Sequence, residues 1–263
     1  MDNFKIKERL RKGEYLIGPF VRTVDPVMAE ILGYAGFDFV ILDMEHGPMN
    51  VHQAESLVRS AKLSGAAPII RVRENSETII TRALDTGASG VQIPQVNSPK
   101  SARQAIEASK FYPKGQRGVC RFTRNAEYSN ICKEEYFNKS NENTIVVLQI
   151  EGLEGVRNID SILEEQDINV LFLGPYDLSQ ALGLTGQVTH PKVLSMIEKI
   201  AKKARDKGIS VGSFADDKET ILLHKNMGIQ YLSCFIDTGL FYEAAKEIYM
   251  SLRDQFRSGG PRC

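Results

Sequence analysis

Ile145-Val-Val-Leu-Gln-Ile-Glu151-Gly152 and Asn169-Val-Leu-Phe-Leu-Gly-Pro-Tyr-Asp177-Leu-Ser179 are apolar runs that each end at a carboxylate. Between them Val156, Ile159, Ile162 and Leu163 recur at helical spacing across residues 153–165, so the stretch reads as strand, helix, strand. A right-handed crossover makes the two strands parallel. Glu151 and Asp177 then emerge together at the carboxyl end of the sheet, where α/β proteins keep their sites. Paired acids that offer only oxygen suit a hard divalent cation such as Mg²⁺ or Mn²⁺ better than zinc. Either acid alone reads rather as a helix cap or a surface residue, Asp177 above all; the pairing points to chemistry.

Outward from this unit the same alternation repeats. Further strands are expected at residues 15–21, 38–42, 68–73, 90–96, 209–214 and 231–236, with helices after them, several closed by glycines such as Gly36, Gly65, Gly87 and Gly208. No two strands lie close enough for a hairpin, and no Gly-x-Gly-x-x-Gly turn follows the first. Eight strand-then-helix units of this kind predict an α/β chain folded as a single closed (βα)₈ TIM barrel over residues 1–257. The polar stretch 111–143, with Arg117, Arg121 and Arg124, breaks the rhythm and is expected to form a loop or lid over the strand ends. Residues 258–263 are expected to be a disordered tail.

Composition excludes several classes. The 263 residues are 42% hydrophobic and 25% charged, and 33 Lys plus Arg balance 33 Asp plus Glu, so no basic field invites nucleic acid. No apolar run approaches a membrane span, and no signal core is present at the N-terminus. Cys120, Cys132, Cys234 and Cys263 form neither a Cys-x-x-Cys nor a zinc spacing, which predicts a cytoplasmic protein.

In a barrel the residues that follow strands converge: Asp43, Glu45, His46, Arg71, Gln92, Glu151, Asp177 and Asp237. A cation between two acids, with an arginine and a histidine, is what enolisation beside a carbonyl requires. His46 follows a strand within three residues of Asp43, which is positioned to orient it. Arg71 lies at an apolar strand, where the bland alternative is a salt bridge to Glu45 or Glu151. No expected strand carries a lysine, which argues against imine chemistry, and nucleophile-elbow and P-loop patterns are missing.

Phe37-Asp-Phe-Val-Ile-Leu-Asp-Met-Glu-His46-Gly-Pro, Ile70-Arg71-Val, Leu84-Asp85-Thr-Gly-Ala, Ile93-Pro94, Tyr112-Pro-Lys-Gly-Gln-Arg-Gly-Val119, Gln149-Ile-Glu151 and Leu173-Gly-Pro-Tyr-Asp177-Leu-Ser together resemble the HpcH/HpaI family of metal-dependent (class II) 2-keto acid aldolases. The resemblance spans nearly the whole chain. It implies a phosphoenolpyruvate/pyruvate-type barrel that works through a pyruvate enolate, with Mg²⁺, Mn²⁺ or Co²⁺ on Glu151 and Asp177. His46 paired with Asp43 would be the acid/base, and Arg71 would stabilise the enolate. Gln149 and the backbone near Gly174, Pro175 and Tyr176 would hold substrate. It also implies a homo-oligomer, a hexamer or dimer, in which Asp85 approaches a neighbour's site and the last helix is exchanged. The stripe Leu240, Phe241, Ala244, Ala245, Ile248, Leu252 and Phe256 suits such docking, or packing on its own barrel. Cys120-Arg-Phe-Thr-Arg-Asn-Ala departs from the family's small residues, and Arg121 and Arg124 there would favour a carboxylate partner over a plain aldehyde. An aldolase-like citrate synthase joining acetyl-CoA to oxaloacetate is the alternative; a non-catalytic binding barrel is the alternative of another class.

Overall fold

The structure, a computed structural model, describes residues 3–258. Eight parallel strands close into one barrel in sequence order: β1 (Leu16–Val21), β2 (Phe39–Asp43), β3 (Ala67–Arg71), β4 (Gly90–Ile93), β5 (Ile145–Ile150), β6 (Val170–Leu173), β7 (Ser210–Ala215) and β8 (Tyr231–Ile236). The helices are α1 (Asn3–Arg11), α2 (Pro26–Tyr34), α3 (Val51–Ser64), α4 (Glu77–Asp85), α5 (Pro99–Ser109), α6 (Lys133–Asn143), α7 (Leu153–Arg157), α8 (Ile159–Ile162), α9 (Pro175–Ala181), α10 (Pro191–Asp206), α11 (Lys218–Asn226) and α12 (Asp237–Ser258). The expected single helix after β5 is broken at Asn158 into α7 and α8. Of the expected tail, Ser258 ends α12, and residues 259–263 lie outside the described residues.

The period-two alternation of strand side chains builds the site's platform. Phe39 and Ile41, Ala67 and Ile69, Ile145 and Val147, and Val170 and Phe172 face inward and form one core, while Val40, Leu42, Ile70, Val146, Leu148 and Leu171 join the core under the helices. One inward step further along the strands stand Asp43, Arg71, Gln92 and Gln149. Asp43 pairs with Arg71 in the β2–β3 register, and Arg71 with Gln92 in the β3–β4 register. A polar layer therefore lies directly on a hydrophobic plug. The plug is filled by rings opposite glycines: Phe39 stacks on Tyr231 at 3.9 Å, and a Cβ on Gly18 would stand 2.2 Å from the Phe39 carbonyl oxygen.

The amino-terminal end of the barrel is closed by α1, which the sequence pattern did not suggest; its Ile6 and Leu10 join the inner core. The stretch between α5 and β5 is no lid. It connects a helix end to a strand start, and its ends are fixed there by Lys110 Nζ donating to the carbonyls of Asn141 and Thr144 (2.7 and 2.9 Å) and Lys7 Nζ to that of Glu142 (2.6 Å). Its middle runs outside α3 and α4, where the Tyr128 hydroxyl meets Arg59 and Gly118 approaches Thr81. Phe111, Ala126 and Tyr136 give it a small core of its own. By contrast, α12 packs Leu240 on its own barrel but leaves Phe241, Ile248, Tyr249 and Phe256 exposed, so most of its apolar stripe is not spent there. Among the described residues no helix is long and apolar enough to cross a membrane.

Lys7 and Lys110 bury two ammonium groups beside one another, and burial lowers both, to about 6 and about 8. A lysine whose folded pKa is depressed binds fewer protons folded than unfolded, so its burial penalty is complete below the folded value and is relieved as pH rises toward 10.5. Stability should therefore climb between pH 6 and 10. In Lys7→Met, denaturant unfolding should show that slope reduced by up to about 1.4 kcal/mol per pH unit; an unchanged slope would mean that Lys7 is protonated throughout.

Candidate active site

The centre of the site is Asp43, fully buried at the end of β2. Arg71 grips it with two parallel bonds, Nε to Oδ1 at 2.9 Å and Nη2 to Oδ2 at 2.8 Å, and Arg22 Nε adds a third to Oδ2 at 3.1 Å. The amides of Glu45 and His46 also donate to Oδ1. Burial opposes the charged form of Asp43, but Arg71, the His46 amide and Arg22 outweigh it and hold the carboxyl below its ordinary range. Arg71 continues to Glu45, Nη1 to Oε2 at 3.2 Å, and lies 4.5 Å over the Phe20 ring. The bland alternative, a salt bridge to Glu45 or Glu151, is thus present on the Glu45 side, but the main partner of Arg71 is Asp43.

The expected pairing of the His46 imidazole with Asp43 is not present. Asp43 holds the backbone of His46, and the imidazole, 59% exposed, reaches Glu45 instead, Nε2 to Oε2 at 3.9 Å. The reason is competition: guanidiniums and amides already occupy the carboxylate, and the turn they define carries the ring outward.

Glu151 and Asp177 do come together. A Cβ on Gly174 would stand 3.0 Å from Glu151 Cβ, 3.3 Å from its Oε2 and 3.8 Å from Asp177 Oδ2, so both acids converge on a bare Cα. Neither is an N-cap: Gly152 caps α7, Gly174 caps α9, and Asp177 sits in the first turn of α9. Glu151 is steered by a relay from the barrel interior. Gln92 Nε2 donates to Gln149 Oε1 at 2.6 Å, and Gln149 Nε2 donates to Glu151 Oε2. On the other oxygen the amide of Gln95 donates at 2.8 Å, from a residue held at a φ of 54°, a strained conformation for a side chain of this size.

Glu45, Glu151 and Asp177 line one cleft of about 340 Å³. Burial raises the pKa of Glu151 first, and the charges of Glu45 and Asp177 raise it further. Glu45 is raised likewise by burial, then by Asp43 and Asp177, against the pull of Arg71, and its Oε2 is buried without an aligned hydrogen bond. Carboxylates crowded in this way lack positive charge, and an all-oxygen donor set fits a hard divalent cation. Among the described residues no three acidic, histidine or cysteine side chains close a complete cage. Glu151 and Asp177 would hold the ion, with the remaining positions left to water or substrate, as is usual for Mg²⁺.

His46 and Asp177 form the wall between this cleft and a larger cavity of about 810 Å³. Phe20, Phe172 and Phe214 give the cavity an apolar side, and Arg22, Arg71 and Gln149 a polar one. The expected anion cradle is narrower than Gly174-Pro175-Tyr176. The Gly174 amide is spent on the Ile150 carbonyl (3.0 Å), and Pro175 has none. Leu178 is the first amide to close the helix, onto Gly174, so the amides of Tyr176 and Asp177 are the ones left without a helical acceptor. The Tyr176 hydroxyl donates to Asp216, which pushes it up to about 12 and keeps the ring as a wall of the cavity.

Three expected residues are elsewhere. Asp85 ends α4 and binds the buried Arg117 (2.7 Å), outside the cavity of its own chain. Arg121 donates to the carbonyls of Ser129 and Ile131, and Arg124 packs against Gly87 beyond the end of α4. Neither lines the cavity, because their segment follows a helix rather than a strand. Asp237 caps the turn after β1 through the amides of Arg22 and Thr23. Arg22, Gln95 and the phenylalanine wall were not anticipated, although the inward alternation Leu16, Gly18, Phe20 points at Arg22 as the next step. No strand of the barrel carries a lysine.

Comparison with known proteins shows the chain's family. The chain is 31% identical to the hydroxypyruvate/pyruvate aldolase of Pseudomonas aeruginosa over 258 residues, covering 98% of this chain and 94% of that one. It is 32% identical to the 5-keto-4-deoxy-D-glucarate aldolase of Shigella sonnei over 244 residues, covering 93% and 94%. The crystal structure of the citrate synthase SbnG superposes with a TM-score of 0.84 at 28% identity, covering 97% of this chain and 98% of that one. The family model described as HpcH/HpaI aldolase/citrate lyase matches residues 16–241, and the chain belongs to that family.

Proposed function

We propose that this protein is a divalent-metal-dependent carbon–carbon lyase that forms or cleaves 4-hydroxy-2-keto acids through a pyruvate enolate. The observation that carries the reading is that Arg71, His46 and Asp177 line one cavity, while Glu151 meets Asp177 in the cleft just across the His46–Asp177 wall. The free amides of Tyr176 and Asp177 receive the keto acid's carboxylate. Arg71, kept in its plane by Asp43, faces the oxygen on which negative charge develops and needs no reorientation when it does. His46 takes the proton from the methyl carbon and returns it to the new hydroxyl; its exposed position at the mouth lets the ring reach both. Phe20, Phe172 and Phe214 exclude water and so strengthen each charge interaction. Glu151 and Asp177 would hold a divalent cation, which would supply Lewis-acid stabilisation of the same negative charge.

The family and the named relatives support a lyase of this kind. The likeness to SbnG favours a second reading, condensation of acetyl-CoA with oxaloacetate to citrate, on the same enolate-stabilising wall. The reading includes a cytoplasmic homo-oligomer in which the exposed stripe of α12 and the Asp85 side of α4 meet neighbouring subunits, as the exposure of Phe241, Ile248 and Phe256 supports. A panel of hydroxy-keto acids against acetyl-CoA plus oxaloacetate separates the two reactions.

Chelation should remove activity, and Mg²⁺, Mn²⁺ or Co²⁺ should restore it; full turnover in rigorously metal-free protein would refute the metal requirement. Arg71→Lys keeps a charge on Asp43 but loses the fork. It should slow deuterium exchange into the pyruvate methyl group by roughly 10²–10³-fold, read by proton NMR. Borohydride with pyruvate should leave the intact mass unchanged, and a pyruvyl adduct on any lysine would place the enzyme in the imine class.

A further inference from the structure

We infer that Arg22 is the anchor for a carboxylate on the second, electrophilic substrate, and so the residue that sets acceptor specificity; this rests on the lyase reading above. Arg22 and Arg71 meet on the same Asp43 but differ in what they have left to give. Arg71 is nearly buried, its side chain 8% exposed, and it is shared between Asp43, Glu45 and the Phe20 face. The Arg22 side chain is 36% exposed, lines the cavity, and is tied to Asp43 through Nε alone. Among the described residues its two terminal nitrogens make no hydrogen bond. A guanidinium held by Nε presents its terminal nitrogens as a fork, the geometry that matches a carboxylate.

The backbone supports this aim. Buried Asp237 accepts from the amides of Arg22 and Thr23 at 3.1 and 3.0 Å and from the Thr23 hydroxyl, which fixes the turn where β1 ends. Gly47 lets the His46 turn close on it: a Cβ there would stand 2.4 Å from the Asp43 carbonyl oxygen and 3.6 Å from Arg22 Cα. The anchor is therefore positioned before any substrate arrives. The keto acid is accounted for by Arg71 and the α9 amides, and a cavity of about 810 Å³ has room for a second small molecule beside it. The cation that meets that molecule is Arg22, not the distant Arg121 and Arg124.

The test compares two acceptors of equal carbon count: glyoxylate, which carries a carboxylate, and glycolaldehyde, which carries a hydroxymethyl group in its place. In each case the pyruvate methyl carbon loses a proton, bonds to the aldehyde carbon, and the aldehyde oxygen gains a proton. Wild type should prefer glyoxylate in kcat/KM. Arg22→Gln should lower that preference roughly tenfold to a hundredfold, chiefly through KM for glyoxylate, and Arg22→Lys should retain part of it. If Arg22→Gln lowers both acceptors equally, Arg22 acts only through Asp43 and the inference is wrong; it is equally wrong if the preference is unchanged. Methyl-proton exchange into pyruvate alone is measured beside these. Its absence in wild type would remove the lyase reading and the anchor with it, whereas normal exchange with an unaltered preference would remove only the anchor.

Discussion

The buried pair of Asp43 and Arg71 is the contact on which the site depends. The strand register sets the two side by side on β2 and β3, one inward step above the hydrophobic plug. There the fork closes on the carboxylate with both oxygens occupied. An ion pair in such a place is not chosen for stability, since a well-packed apolar pair would serve as well, yet losing one partner strands the other and costs about 3–5 kcal/mol. What the pair provides is direction. Asp43 orients Arg71, holds Arg22 by Nε, and through the amides of Glu45 and His46 shapes the turn that delivers both side chains to the cavity.

The acidic half of the site follows the opposite logic. Glu45, Glu151 and Asp177 are drawn together by rigid neighbours, not by mutual attraction, and burial together with like charge pushes Glu45 and Glu151 toward the protonated form. The Gln92–Gln149–Glu151 relay and the strained Gln95 amide hold Glu151 against that repulsion. Missing side chains matter as much, because any Cβ on Gly174 would push against Glu151. Crowding of this kind is stored electrostatic energy that a bound cation would release, while the arginine half of the site is balanced within itself.

These two halves are separated by the wall of His46 and Asp177, and the division of labour across it is the functional content of the fold. Both the cleft and the cavity lie at the carboxyl end of the strands. At the opposite end α1 plugs the barrel, the Lys7 and Lys110 side chains tie the helical insertion to the amino-terminal rim, and Arg117 locks Asp85.

The sequence by itself determined the barrel, the order of its strands and the polar layer, because alternation within each strand dictates which residues face inward and crossover handedness dictates which ends converge. Glu151, Asp177, Asp43 and Arg71 were legible for that reason: each follows an apolar run at a strand end. Tertiary structure alone decided who pairs with whom. Asp43 was close to His46 in sequence, yet the guanidiniums of Arg71 and Arg22 arrive from other strands and take its carboxylate, which no local spacing can reveal. The arginines of the irregular stretch were misplaced because charge and irregularity say nothing about which end of a barrel a segment occupies. Connectivity does: a segment that leaves a helix and enters a strand belongs to the amino-terminal end, while Arg22, leaving a strand, belongs to the cavity.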